Sequence, residues 1–150
     1  MDKVYVEATY KSLNKLNEEL CGDRVEIVKN DDSYFVVLSD GLGSGVKANI
    51  LSTLTSKIIS TMMFQGASIE DTVETIVHTL PVCSVRKVAY STFMILQIDY
   101  DGNAYLVEFD SPGCIFVRDG RLMNIEYNYR SIAGKEIKEA HFKVKPNDFM

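Results

Sequence analysis

The run Tyr34–Ala48, YFVVLSDGLGSGVKA, restricts the architecture more than any other part of the chain. Five consecutive apolar or aromatic residues, Tyr34 to Leu38, lead into Ser39-Asp40-Gly41, and glycine returns at Gly43 and Gly45. A segment apolar on both faces predicts a central, buried strand. A glycine-rich turn followed by helical apolar spacing predicts a sharp corner and then a helix. Asp40 therefore places a carboxylate where a buried strand ends, and that placement needs a physical reason.

Three chemistries suit such a corner. The first is a phosphate cradle, since Gly41, Gly43 and Gly45 give GxGxG between strand and helix. Val46 stands where GxGxxG needs its third glycine, and GxxxxGK[ST] fails at Val46 and Ala48. The second is an ordinary Asp-Gly turn in which Asp40 only caps the corner. The third is a hard-metal site. Asp40 would be held at the rim of a sheet, with the Gly41 carbonyl as a further oxygen donor. Gly22-Asp23 offers another carboxylate just before the preceding strand. If that strand and the Asp40 strand form a hairpin, Asp23 and Asp40 reach the same sheet end. Such oxygen donors select Mg²⁺ or Mn²⁺ over zinc. The residues alone leave the three readings open.

The remaining chain predicts an α+β pattern without βαβ alternation. Val4, Val6 and Ala8 alternate with polar neighbours, as in a half-exposed strand. Leu13, Leu16 and Leu20 have helical spacing capped by Gly22, but the asparagines among them suit an irregular loop equally. Val25–Lys29 reads as a strand and Asn30–Ser33 as a polar turn. Val46–Phe64 is the clearest helix, with Ala48, Leu51, Leu54, Ile58 and Met62 on one stripe that Ile50, Ile59 and Met63 widen. A second helix starts at an N-cap, Ser68, carries Glu70 and Asp71 in its first turn, and stops at Pro81. Strands follow at Ala89–Asp99, Ala104–Phe109, Cys114–Arg118, Leu122–Tyr127 and Ala140–Lys145, with hairpin turns at Asp101-Gly102 and Asp119-Gly120. The last residues, PNDFM, read as a turn leading into another strand, as in a copy of a domain truncated at its C-terminal end.

Composition narrows the function classes. The 150 residues make one domain with a sizeable core, 46% hydrophobic and 25% charged. A net charge of -5 with no basic block argues against nucleic-acid binding and against a membrane surface. No signal peptide pattern and no apolar run of about 18 residues is present, which predicts a cytoplasmic protein. Cys21, Cys83 and Cys114 are odd in number and widely spaced, so reduced thiols and no disulfides are expected. His78 and His141 lie far apart in the chain with no cysteine partner, and make no metal or nucleophile constellation.

The blocks CGDRVEI, YFVVLSDGLGSGVKA, VAYSTFMIL and FVRDG resemble the metal-dependent serine/threonine protein phosphatases of the protein phosphatase 2C class. More narrowly they resemble its bacterial branch typified by the stage II sporulation protein E phosphatase, over nearly the whole chain. The resemblance implies an antiparallel β-sandwich flanked by helices (αββα), present here as an incomplete copy, a single domain over residues 1–150 without its C-terminal metal-ligand segment. It implies two Mn²⁺ or Mg²⁺ ions bridged by Asp40, with the Gly41 carbonyl and Asp23 beside them, and Gly43 and Gly45 shaping a regulatory turn. No protein nucleophile is implied; metal-activated water attacks the phosphorus of a phosphoserine or phosphothreonine. The implied substrate is a bacterial regulatory phosphoprotein such as an anti-sigma-factor antagonist, with a homodimer formed through the helices. A non-catalytic pseudophosphatase or sensor on the same fold is the alternative. The family often has Gly-Ala/Ser-x-Pro in the late meander where this chain has Phe109-Asp110-Ser111-Pro112-Gly113, and Asp110 is expected to be a surface turn residue.

Overall fold

Short side chain to backbone bonds fix which strands become neighbours. Asn30 Oδ1 accepts from the amides of Asp32 at 2.9 Å and Ser33 at 2.8 Å, folding β1 (Asp23–Lys29) back on β2 (Ser33–Gly41). Asp99 Oδ1 accepts from the amides of Asp101 at 2.9 Å and Asn103 at 2.8 Å, joining β3 (Ser91–Asp99) to β4 (Asn103–Phe109). Between β2 and β3 lie α1 (Gly45–Phe64) and α2 (Ile69–Thr79). After β4 come β5 (Val117–Arg118), β6 (Arg121–Leu122), β7 (Asn128–Ile132) and β8 (Lys135–Lys143). The computed structural model describes residues 3–43, 45–80 and 91–150.

The strands form a six-stranded antiparallel sheet in the order β1-β2-β3-β4-β8-β7, with β5 and β6 as a separate two-stranded ribbon. Strand side chains alternate between faces, and one face carries both helices. There Phe35, Val37, Phe93, Ile95, Val107 and Phe109 meet Ile59, Met63, Val73 and Ile76 from the helices. On the other face Ile98, Ala104 and Val144 gather Leu96, Phe142, Val4 and Val6. This is the expected α+β class, an antiparallel sheet with its helix layer.

The helix α1 differs from its apolar periodicity. Its buried residues are Ala48, Leu51, Ser52, Thr55, Ser56, Ile59, Ser60 and Met63, whereas Leu54 and Ile50 are 46% and 51% exposed. The close approach of α1 to β2 at Ala48 and Gly41 favours small residues on the facing side. The hydroxyls of Ser52, Thr55, Ser56 and Ser60 each donate to a carbonyl of their own helix, so burying them leaves no donor unpaired. Apolar spacing cannot reveal a buried face built from serine and threonine.

The second helix follows its sequence signals: Ser68 Oγ accepts from the Asp71 amide at 3.1 Å. Arg130 on β7 pairs with Glu70 at the start of α2 and with Glu139 on β8 at 2.6 Å, tying the helix to the sheet edge. The Tyr105 hydroxyl also donates to Glu139.

Other expectations need correction. Residues 3–15 form no strand; Val4 and Val6 are half-buried, and the Val4 amide bonds to the Tyr100 carbonyl at 2.8 Å. Leu13 and Leu16 lie in irregular chain, 79% and 86% exposed. The predicted strands Cys114–Arg118 and Leu122–Tyr127 shrink to two residues each, and β7 was not foreseen. The β7–β8 turn is Ala133-Gly134, both at positive φ (49° and 78°), a geometry that favours Asn-Gly over Ala-Gly. PNDFM does form a turn and a bridge: Phe149 pairs with Val117, and Asp148 takes a two-pronged bond from Arg118 at 2.7 and 2.9 Å. Asp110 is an exposed turn residue at φ 49°. Pro81, Cys83 and the start of the predicted Ala89 strand lie outside the described residues.

The offset of the buried face is testable by urea denaturation. Leu51→Ala, at a site 5% exposed, should cost about 2–4 kcal/mol. Leu54→Ser should stay within about 0.5 kcal/mol of the parent. Equal losses would restore the stripe that the periodicity draws.

Candidate metal centre

The antiparallel register sets Asp23 opposite Asp40 at the end of the β1–β2 hairpin, and Thr92 opposite Asp40 on the other side. All three lie on the sheet face away from the helices, by strand alternation from Val37 and Ile95. The ladder runs one step further, where the Gly41 amide donates to the Gly22 carbonyl at 2.8 Å. Asp23 and Asp40 thus come together as the hairpin argument expects.

The corner after Asp40 is built from backbone contact. A Cβ on Gly41 would lie 2.1 Å from the Ala48 carbonyl oxygen and 2.8 Å from its Cα, so only glycine lets α1 seat on the strand end. A Cβ on Gly22 would meet the Ala48 Cβ at 3.2 Å. Gly43 and Gly45 adopt left-handed φ values of 95° and 72° and turn the chain into α1. Asn49 Nδ2 donates to the Cys21 carbonyl at 2.9 Å, so the first turns of α1 also hold the chain just ahead of Asp23.

The electrostatics of the pair are those of two like charges facing each other. Partial burial, and then the Asp23 carboxylate within hydrogen-bonding reach, push Asp40 up to about 6. Asp40 still opens to solvent, so an ion can reach it. A divalent cation between the two carboxylates would remove their repulsion, and the donors are hard oxygens of the kind Mg²⁺ and Mn²⁺ take. The residues fit such an ion. Among the described residues no group of three or more His, Cys, Asp or Glu side chains converges.

Neither histidine joins this row: His78 ends α2 and His141 stacks on Tyr105 with ring centroids 4.5 Å apart. Cys21 and Cys114 are free thiols, and burial, then Glu108, push the Cys114 thiol up. Glu108 itself was missed. It lies on the same sheet face as Asp40, is 1% exposed, and neither carboxylate oxygen has a hydrogen-bond partner among the described residues. Burial and Glu108 together push the Tyr127 phenol up to about 12. The only signal in the sequence is a lone carboxylate inside the apolar strand AYLVEF.

The family described as Stage II sporulation protein E (SpoIIE) matches residues 30–150. Among curated proteins none matches the chain. Of solved structures, the protein phosphatase 2C domain of the cell-fate determinant SpoIIE from Bacillus subtilis, with a fragment of its regulatory domain, superposes with a TM-score of 0.76 at 20% identity. That match covers 92% of this chain and 42% of that one. The RsbU and RsbW domains of Rv1364c from Mycobacterium tuberculosis superpose with a TM-score of 0.73 at 15% identity, over 91% of this chain and 40% of that one. RsbX in complex with magnesium gives 0.69 at 19% identity, over 92% of this chain and 68% of that one. The chain thus spans about two-fifths of the length of the first two structures. These likenesses establish the fold.

Two substitutions probe the corner and the pair. Gly41→Ala should destabilise the chain by about 3 kcal/mol or more, or displace α1, because the obstacle is backbone. Gly43→Ala, with nothing within 4 Å but a φ of 95°, should cost about 1 kcal/mol. Urea melts compare the two. Folded Asp40 holds its proton above the ordinary carboxylate value of about 3.9, so its linked stability is full below about pH 4 and is lost as pH rises through about 6. In EDTA, Asp40→Asn should therefore melt higher than the parent at pH 7, with the gain vanishing near pH 4. A constant difference across that range would contradict the assigned cause.

Proposed function

Because this chain belongs to the Stage II sporulation protein E family, we propose that it carries the Asp40 half of the metal centre of a Mn²⁺- or Mg²⁺-dependent protein phosphatase. The substrate class is a phosphoserine or phosphothreonine on a bacterial regulatory phosphoprotein such as an anti-sigma-factor antagonist. The observation that carries this reading is the facing of Asp23 and Asp40 across the β1–β2 ladder, one of them lifted to about 6 by burial and by the other. The magnesium complex of RsbX, a structure of the same fold, supports the choice of cation.

In this reading Asp40, Asp23 and the Gly41 carbonyl would hold the cation, with Asp40 as the principal ligand. A bound divalent cation supplies Lewis-acid activation of water towards a phosphate monoester and offsets charge on the transferring group. The chain's own part is positional. The ladder fixes the separation of the carboxylates, and the Gly41–Ala48 contact prevents the strand end from moving relative to α1. Gly43 and Gly45 shape a turn that couples α1 to the ligand strand, which suits a regulatory role for that helix.

A non-catalytic sensor or binding module is the second reading. It is favoured by the exposed side of α1, where Val46, Ile50 and Leu54 are 62%, 51% and 46% exposed at four-residue spacing, a face suited to a homodimer or another helix.

Phosphate release from a phosphoserine protein, measured with MnCl₂, separates the two. Asp40→Asn should lower turnover by about 100-fold or more. Unchanged turnover removes Asp40 from the metal centre. No turnover in the unsubstituted protein, with Mn²⁺ bound or not, leaves the binding module.

A further inference from the structure

Beneath the carboxylate row, on the helix side of the sheet, two serines form a buried hydroxyl pair. Ser39 and Ser91 are 0% and 4% exposed, and their Oγ atoms lie 2.7 Å apart. Ser39 Oγ reaches the Thr92 carbonyl at 3.0 Å, and Ser91 Oγ reaches the Asp40 carbonyl at 3.1 Å. A 2.7 Å contact between hydroxyl oxygens needs a proton in it, so one of the two protons is used there. The other goes to a carbonyl. In one sense Ser39 donates to Ser91 and Ser91 to the Asp40 carbonyl; in the other Ser91 donates to Ser39 and Ser39 to the Thr92 carbonyl.

The Asp40 carbonyl belongs to the same peptide unit as the Gly41 amide, which donates to Gly22 at 2.8 Å. In that first sense the peptide plane is held at both ends, its oxygen by Ser91 and its N–H by Gly22. The Asp40 side chain and the Gly41 carbonyl lie on either side of that plane, so a net change of ψ at Asp40 or φ at Gly41 would alter their relative orientation. We infer that Ser39 and Ser91 are positioning residues for the metal centre, orienting the Asp40–Gly41 peptide so that the Asp40 carboxylate and the Gly41 carbonyl meet one ion. The inference rests on the metal reading above. It assigns to Ser39 and Ser91 a job beyond filling space, since alanine differs from serine only in lacking the hydroxyl. Outer partners that orient ligands typically change metal affinity 10- to 100-fold when removed.

The test uses the 150-residue chain and Mn²⁺ alone, with paramagnetic broadening of backbone amide resonances as the readout. In the unsubstituted chain, Mn²⁺ should broaden the amides of Asp23, Asp40 and Thr92 first. Ser91→Ala and Ser39→Ala should each weaken that binding about tenfold, and the double variant should be no weaker than either, because the pair acts as one circuit. Ser91→Thr, which keeps the hydroxyl, should retain binding. Ile137→Val, buried on β8 away from the row, controls for loss of stability and should leave Mn²⁺ binding unchanged. Asp40→Asn separates the two failures. If it leaves binding intact, the metal reading falls. If it removes binding while both alanine variants bind as the parent does, the positioning role falls and the metal reading stands. Additive losses in the double variant would also overturn the shared circuit.

Discussion

The backbone of Ala48 lies against Gly41 so closely that a single added carbon would collide with it. Much of the helix layer follows from that contact. It fixes where α1 crosses β2, and so favours Ala48, Ser52, Thr55 and Ser56 as the facing residues in place of larger apolar ones. Those hydroxyls are tolerated because each bonds within its own helix. The larger side chains Ile59 and Met63 come into use further along α1, where the core is filled by Phe35, Val73 and Ile76.

The same contact holds the end of β2 still, and the candidate centre sits on that end. Asp23 and Asp40 face each other because the register is continuous from Asp23↔Asp40 to Lys29↔Tyr34, closed by the Asn30 turn at the far end. A slip of one residue would send Asp40 to the helix side and Ser39 to the open side. Partial burial first, and then the facing Asp23 carboxylate, raise Asp40 in this arrangement. Ser39 and Ser91 occupy the reverse of the same strand ends, so one register places both the ligand row and the hydroxyls beneath it.

The opposite end of the molecule shows a comparable economy. Arg118, from the block FVRDG, grips Asp148 of PNDFM and also donates to the Lys143 carbonyl at 2.9 Å. Two blocks that look like separate turn motifs in the sequence are one side chain network. Arg130 does the same between Glu70 on α2 and Glu139 on β8. Long-range pairs of this kind, 30 or 60 residues apart, leave no trace in periodicity or local spacing.

By itself the sequence determined the elements whose causes are local. Tyr34–Leu38 is a strand because its residues are apolar and bulky, Ser68 starts a helix because its side chain caps one, and Asp101-Gly102 turns because glycine takes φ 85° there. It also tied the meeting of Asp23 and Asp40 to one condition, a hairpin across Asn30–Ser33, which the β1–β2 register meets. Tertiary structure decided what depends on contact between distant segments. It decided which side of α1 is buried, that residues 3–15 pack without a ladder, that the 114–127 region holds only a two-residue ribbon, and that Ser91 lies under Asp40. It also decided that Glu108 would be buried with no hydrogen-bond partner among the described residues. The physical reason is common to all of these. Backbone propensity and turn chemistry act within a few residues, whereas burial and hydrogen-bond satisfaction are set by what the rest of the chain brings alongside.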